Sequence, residues 1–148
     1  MMESIDAALT AMEVVKTLVL AASPARVWKA ITDPKELVRW FPDKEARVES
    51  RPGAEGAWVW ENHGTYSVRF DLVEPPTKLV WSWAREPNVP LAETVTTTVE
   101  WRLEPNEDGG TTLHLREYGF AREEDRKGND GGWDKELGEL VAYLESEE

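Results

Sequence analysis

Between Lys44 and Tyr118 the sequence repeatedly alternates apolar with polar side chains, and this two-residue period restricts the fold more than any other feature. A strand points successive side chains to opposite faces of its sheet, so the alternation predicts strands with one apolar face. Every gap contains Pro, Gly or Asn, which are typical of turns, and short gaps join antiparallel neighbours. We therefore predict a six-strand meander: Lys44 to Ser50, Ala57 to Asn62, Thr65 to Val73, Lys78 to Ala84, Glu93 to Leu103 and Thr111 to Tyr118.

The segment before the meander predicts one strand and two short helices. Glu13 to Ala21 is rich in Val and Leu and is expected to form a first strand that pairs at an edge of the sheet. Ser23 is a good N-cap and Pro24 suits the first position of a helix, so a short helix is expected to end near Ile31. Pro34 stops this helix and can open a second one.

A final helix is predicted from about Asp130, because apolar residues recur there on one helical face. Gly138 in its middle indicates close packing or room for something against the helix. The apolar face of the sheet needs a cover, and this helix is the long amphipathic element available. The prediction is an α+β fold, β-α-α-β6-α, in which a curved antiparallel sheet of about seven strands wraps around the C-terminal helix. The residues of the apolar helical face are Trp133, Leu137, Leu140, Val141 and Leu144.

The length of 148 residues suits one domain, which we place at residues 13–148 after a flexible N-terminal segment, 1–12. The absence of Cys excludes thiol catalysis, disulfides and thiolate zinc sites. A net charge of −12 disfavours nucleic acid and anionic membranes as partners. No uncharged stretch approaches the roughly 20 residues of a spanning helix, so no membrane insertion is expected. Residues 1–12 contain Glu3 and Asp6 but no base, so we expect no secretory signal and a cytoplasmic location.

The apolar face of the predicted sheet is strongly aromatic, and the chain has 8 Trp residues. These rings either line an internal cavity below the helix or interdigitate into a solid core. The alternation also places Asn62, Leu72 and Val95 on this inward face. The predicted ligand-binding residues are Trp58, Trp60, Tyr66, Val68, Phe70, Trp81, Trp83, Val99, Trp101, Leu115, Glu117, Trp133, Leu137 and Leu140.

Several motifs carry a family resemblance that spans nearly the whole chain. They are Ser23 to Pro34, Leu37 with Trp40-Phe41-Pro42, Val73 to Trp83, and Gly132-Trp133 to Glu145. With them the sequence resembles the homologues of the activator of the heat-shock protein 90 ATPase. The resemblance implies the helix-grip fold of START lipid-transfer domains and the birch-pollen allergens, and it implies binding of small apolar molecules or a chaperone partner. Glu117 departs from the pattern, because many relatives carry His there.

Glu117 is the one candidate for polar chemistry inside the fold, because its parity with Leu113 and Leu115 points it inward. It is expected to anchor a ligand or to act as a general acid or base, unless the strand end turns it out to solvent. Asn62 is better explained by a turn. His63 and His114 converge poorly, so no metal site is predicted, and we expect no cofactor.

The sequence predicts a non-enzymatic protein that binds a lipid-like or aromatic small molecule between the sheet and the C-terminal helix. Common enzyme motifs, such as the nucleophile elbow, the phosphate loop and the dinucleotide fingerprint, are absent from the sequence. One alternative is a chaperone-interacting domain that uses its acidic surface. A second is a cavity enzyme, a cyclase or hydrolase, that uses Glu117. The oligomeric state is left open.

Overall fold

Seven antiparallel strands form one sheet: β1 (Val14–Leu20), β2 (Glu45–Arg47), β3 (Glu55–Trp60), β4 (Gly64–Glu74), β5 (Lys78–Ala84), β6 (Thr96–Pro105) and β7 (Thr111–Tyr118). The computed structural model describes residues 12–146, so residues 1–11 of the predicted flexible segment lie outside the described part. The strand order is β1-β7-β6-β5-β4-β3-β2, in which consecutive strands from β2 to β7 are neighbours. This order confirms the predicted meander and the position of β1 at an edge.

Three helices accompany the sheet: α1 (Pro24–Thr32), α2 (Pro34–Trp40) and α3 (Glu123–Ser146). The hydroxyl oxygen of Ser23 accepts the backbone N–H of Arg26 at 3.2 Å and caps α1, as expected. The carboxylate of Asp33 caps α2 in the same way, through the backbone N–H of Lys35 at 3.0 Å. These two caps fix the start of each short helix.

The long helix α3 starts well before Asp130, where the sequence pattern placed its beginning. Its first turn contains Glu123, Glu124 and Asp125, which the helix dipole favours at an N-terminus. Arg126 also pairs with Glu123 at 2.6 Å. The apolar pattern could not reveal this first part, because residues 128, 131 and 132 are glycines and carry no side chain that marks a face.

The predicted alternation is wrong at three positions. A register shift between Phe70 and Leu72 turns Leu72 away from the core and brings Val73 onto it instead. Val95 is 53% exposed because β6 begins only at Thr96, after a 3-10 turn, so Val95 lies outside the strand. Asn62 is exposed because β3 ends at Trp60 and the chain turns there.

The helix α3 covers the apolar face of the sheet, as predicted. Its buried residues Trp133, Leu137, Leu140 and Leu144 belong to one core cluster with the strands. In the centre of the sheet the rings of Trp58, Trp81 and Trp101 are fully buried and pack against one another, so this region is the solid core that the sequence left as an alternative. Gly138 is exposed, and a Cβ there would have nothing within 4 Å, so the expected close packing is wrong.

The C-terminal half of α3 is joined to α1 and α2 through one carboxylate. The hydroxyl of Tyr143 on α3 donates to Oε1 of Glu36 on α2 at 2.9 Å. Arg26 on α1 contacts the same oxygen at 2.7 Å. Three helices therefore meet at Glu36, and α3 is held at this end independently of its other half.

Candidate functional site

A cleft of about 410 Å³ lies between the first half of α3 and the hairpin formed by β3 and β4. Phe41, which follows α2, and the end of β5 complete its wall. Aromatic side chains dominate the lining, and polar groups lie among them. The lining residues are Phe41, Trp60, His63, Tyr66, Trp83, Ala84, Arg85, Gly128, Asn129, Gly132, Trp133 and Glu136.

The aromatic rings of the cleft differ in orientation. Trp60 and Tyr66 lie 5.6 Å apart with their planes at 87°, and Phe41 and Trp60 lie 5.2 Å apart at 76°. Phe41 stacks on Trp133 at 5.5 Å with nearly parallel planes. The rings therefore form walls of different orientation around one space, and they support each other through edge-to-face and stacked contacts.

Behind this wall lies the carboxylate of Glu117, which is 0% exposed. Its Oε2 accepts hydrogen bonds from the indole N–H of Trp83 at 2.8 Å and from the hydroxyl of Thr97 at 2.6 Å. Its Oε1 accepts from the amide of Asn129 at 2.9 Å and from the indole N–H of Trp133 at 2.8 Å. The prediction that Glu117 points inward is confirmed, and the solvent-facing alternative is wrong.

The four donors match the acceptor capacity of an ionised carboxylate, which has two oxygens with about four lone-pair sites. All four donors are neutral side chains, and they come from β5, β6 and α3. Three of them, Trp83, Asn129 and Trp133, also line the cleft. Glu117 therefore fixes the positions of lining residues without being part of the lining.

Two glycines of α3 leave one side of the cleft without side chains. Gly128 and Gly132 are four residues apart and so share a helical face, and both line the cleft. A Cβ at either position would have nothing within 4 Å. The same holds for Gly131, which does not line the cleft. The cleft therefore owes part of its width to glycine at positions 128 and 132.

Glu136, one turn beyond Gly132, is a half-buried carboxyl on the cleft wall. Burial raises the pKa of its carboxyl to about 7; Glu139 and Asp43 act in the same direction, and Lys135 acts against it. Glu136 is not among the residues of the apolar helical face, so the sequence pattern gave no sign of this position.

A second cavity of about 270 Å³ adjoins the cleft, with Phe41, Trp60 and Glu136 lining both spaces. Its other lining residues come from the end of α2, from the segment after it and from α3, and four of the seven are charged. They are Val38, Arg39, Trp40, Pro42, Asp43, Lys135 and Glu139. Glu136 thus stands between an aromatic space and a charged one.

The predicted ligand-binding residues divide between the cleft and the closed core. Trp60, Tyr66, Trp83 and Trp133 line the cleft, and Glu117 lies directly behind it. The other predicted residues are buried in the core and away from the cleft: Trp58, Val68, Phe70, Trp81, Val99, Trp101, Leu115, Leu137 and Leu140.

The residues that the prediction missed lie at strand ends, in a turn and on the glycine-rich part of α3. The Asn-His-Gly turn and the cluster of glycines before Trp133 are the two signals that could have located this end of the fold. The missed lining residues are Phe41, His63, Ala84, Arg85, Gly128, Asn129, Gly132 and Glu136.

The two histidines lie apart. His63 lines the cleft, whereas His114 lies on the other face of the sheet, where it contacts Glu104 at 2.9 Å. Within residues 12–146 no group of three or more His, Asp or Glu side chains is arranged to hold a metal ion. In the same part of the chain, no helix has the length and apolar character needed to cross a membrane.

A seven-stranded antiparallel sheet covered by a long C-terminal helix, with a cleft beside that helix, defines a helix-grip domain of the α+β class. The chain belongs to the family Activator of Hsp90 ATPase homolog 1-like protein, which matches residues 21–145. This confirms the family and the START and birch-pollen-allergen superfamily that the sequence motifs predicted. No curated protein matches the chain.

Solved structures share the fold over most of the chain. Protein MLL2253 from Mesorhizobium loti has a TM-score of 0.80 and 21% identity, and the match covers 92% of this chain and 98% of that one. Protein NE0264 from Nitrosomonas europaea has a TM-score of 0.78 and 24% identity, with 94% and 97% covered. CalU16 from Micromonospora echinospora has a TM-score of 0.70 and 26% identity, with 89% and 75% covered. Family and fold together support a ligand-binding helix-grip domain in general terms.

Proposed function

We propose that this protein binds a small molecule with a flat apolar or aromatic part, and that the ligand occupies the cleft beside α3. The observation that carries the proposal is the aromatic lining of a space of about 410 Å³, which falls within the range of ligand pockets, roughly 300–1,000 Å³. A ligand ring in this space would be in contact with Trp60, Trp83 and Trp133.

The carboxylate of Glu117 supports this function by holding two of these rings in place. A side chain that is already fixed loses little conformational entropy when a ligand arrives, so a fixed wall favours binding. Trp83 and Trp133 are fixed by hydrogen bonds of 2.8 Å to different oxygens of Glu117. In this proposal Glu117 is a positioning residue, and the ligand contacts the rings rather than the carboxylate.

The expected binding free energy of a simple aromatic probe determines which assay is suitable. A single aromatic ring that buries about 200 Å² gains about 5 kcal/mol before the cost of association is subtracted. Simple aromatic probes are therefore expected to bind weakly, and ligand-observed NMR is the suitable measurement.

The test compares two glycines that are neighbours in α3. Saturation-transfer NMR with naphthalene and indole is expected to show binding to the wild type and to Gly131→Leu, but not to Gly132→Leu. Both positions have open space for a side chain, but only Gly132 lines the cleft. Equal binding by all three proteins would place the ligand elsewhere, and no binding by any of them would contradict the proposal.

The other predicted functions stay predictions. The chaperone-interacting role rests on the family description, and the cyclase or hydrolase role rests on Glu117, which the four donors engage as a positioning group. The lipid-like nature of the ligand and the cytoplasmic location also remain expectations from the sequence.

A further inference from the structure

We propose that the ligand of the cleft is a cation, namely a quaternary or protonated ammonium group carried on an apolar or aromatic body, and that Glu136 pairs with its charge. The inference rests on the proposed function and names the chemical class of the ligand. Three features of the cleft support it: the orientation of its rings, the hydrogen bonding of two of its indoles, and the position of the Glu136 carboxyl on its wall.

The ring orientation suits an ammonium group. A cation is attracted to the face of an aromatic ring, and several faces around one space act together. The planes of Trp60 and Tyr66 meet at 87°, and those of Phe41 and Trp60 meet at 76°. Rings of different orientation can contact a rounded ammonium group from more than one side.

Hydrogen bonding to Glu117 strengthens the cation–π attraction of two of the lining indole rings. An N–H that donates to a carboxylate shifts electron density onto its ring, because hydrogen bonds in series polarise one another. Trp83 and Trp133 both donate to Glu117, and none of the four donors to this carboxylate is a cation. The negative charge of Glu117 therefore acts on the π-systems of two rings that line the cleft.

The charged groups around Glu136 come from several elements. Glu139 and Lys135 lie beside it on α3, Asp43 faces it from the segment after α2, and His63 and Arg85 line the cleft with it. Arg85 is engaged by the ring of Phe120, whose centroid is 5.4 Å from the guanidinium carbon. Arg39, at the end of α2, lines the adjoining cavity, so three carboxylates and three cationic side chains lie near this boundary, and Glu136 is the carboxylate that lines both spaces. The net charge of −12 attracts cations to the protein as a whole.

Ionisation of Glu136 gives this binding a dependence on pH. The pKa of Glu136 is raised to about 7 by burial, so the carboxyl is mostly neutral at pH 6 and mostly charged at pH 8. A ligand with a fixed positive charge is therefore expected to bind more tightly at pH 8. His63 also lines the cleft, so its substitution is the control.

The test uses two probes of the same shape that differ in charge. Phenyltrimethylammonium and tert-butylbenzene differ by nitrogen in place of carbon, and NMR titration gives the Kd of each. At pH 8 the wild type is expected to bind the cation about tenfold more tightly than the hydrocarbon. Glu136→Gln is expected to remove most of this preference, measured as the ratio of the two Kd values. Glu145→Gln, an exposed glutamate of the same helix, is the matched control and should keep the preference.

The dependence of binding on pH is a second test of Glu136. The affinity of the wild type for phenyltrimethylammonium is expected to rise severalfold from pH 6 to pH 8. The rise should persist in His63→Gln and disappear in Glu136→Gln. Loss of the rise in His63→Gln would overturn the assignment to Glu136.

The outcomes separate this inference from the function on which it rests. Equal affinity for the two probes overturns the inference and leaves the small-molecule function standing, whereas binding of neither probe contradicts both. Tighter binding of 4-tert-butylbenzoate than of the cation overturns the inference and indicates Arg85 as the anchor. Monomeric dihexanoylphosphatidylcholine carries the same trimethylammonium group as part of a lipid. If it binds more tightly than phenyltrimethylammonium, the ammonium group of the ligand belongs to a lipid head group. If it binds more weakly, the ligand is a free small cation.

Discussion

The indole N–H of Trp133, on the long helix, donates to the carboxylate of Glu117, on the last strand, across 2.8 Å in the interior of the protein. This bond joins α3 to the sheet at the inner end of the cleft. It also gives a buried charge part of the solvation that water would otherwise provide. The bond therefore contributes both to the stability of the fold and to the shape of the cleft.

Replacing Glu117 by Gln is expected to destabilise the protein by about 3 kcal/mol. In Gln an NH2 group replaces one carboxylate oxygen. The two donors that now bond to that oxygen would lose their acceptor, because an NH2 group donates and does not accept. Urea denaturation measures the loss. Glu104→Gln, at an exposed glutamate of β6, is the control and should cost less than about 1 kcal/mol. Equal costs for the two variants would mean that the four hydrogen bonds contribute little.

Replacing the glycines of α3 by alanine is expected to raise stability and, at two of the positions, to weaken binding. Gly→Ala in an exposed helix interior stabilises by about 0.8–1 kcal/mol, and residues 128, 131, 132 and 138 all have space for a methyl group. Thermal denaturation is expected to show a similar gain for each of the four variants. Only those at 128 and 132 should weaken the binding of aromatic probes. A weaker fold in the Gly132→Ala variant would show that this glycine serves packing rather than the cleft.

Glu136→Gln is expected to stabilise the protein more at pH 8 than at pH 5.5. The pKa of Glu136 is about 7 in the folded protein because of burial, but an unfolded chain loses this proton near the ordinary value for Glu. The folded state thus holds a proton that the unfolded state has released, so stability falls as the pH rises through this window.

Because Glu136 is only half-buried, solvent screening limits the difference between the two pH values to about 1 kcal/mol. Urea denaturation of the wild type and the variant at both pH values measures it. Glu145→Gln should show no such dependence on pH, and a constant advantage of Glu136→Gln would contradict the role of ionisation.

Tyr143→Phe is expected to cost about 1 kcal/mol, because it removes the hydroxyl that donates to Glu36 at 2.9 Å. The binding of aromatic probes should not change, since Tyr143 lies away from the cleft. Tyr66→Phe provides a matched comparison on the sheet and should cost less. A loss of probe binding in Tyr143→Phe would show that the two halves of α3 are coupled.

The sequence predicts the fold well because period and turn chemistry are local properties. Strands β5 and β7 have the predicted limits, and the Ser23 cap is where the sequence placed it. The errors arise where local pattern loses its meaning. The bulge after Phe70 shifts the alternation by one residue, so the following side chains change faces, and the residue types give no sign of it. The first part of α3 has glycines in place of an apolar face.

The site was harder to predict, because alternation gives the face of a residue but not its distance from the end of the sheet. Trp58 and Trp60 have the same parity, yet Trp58 is buried in the core and Trp60 lines the cleft. Glu117 could be placed inside the fold from parity alone. Its four donors come from positions far apart in the chain, so only the structure reveals them.

That arrangement bears on how the chain assembles. Trp83, Thr97 and Trp133 belong to three different elements. Each must be packed in place before the carboxylate of Glu117 can be desolvated without a large free-energy penalty. A sheet that has formed without its helix retains a hydrated carboxylate on β7, and a helix docked one turn out of register leaves that carboxylate short of partners. Partly assembled states are thereby disfavoured, so the hydrogen bonds of one carboxylate favour the correct docking of this half of α3 on the sheet.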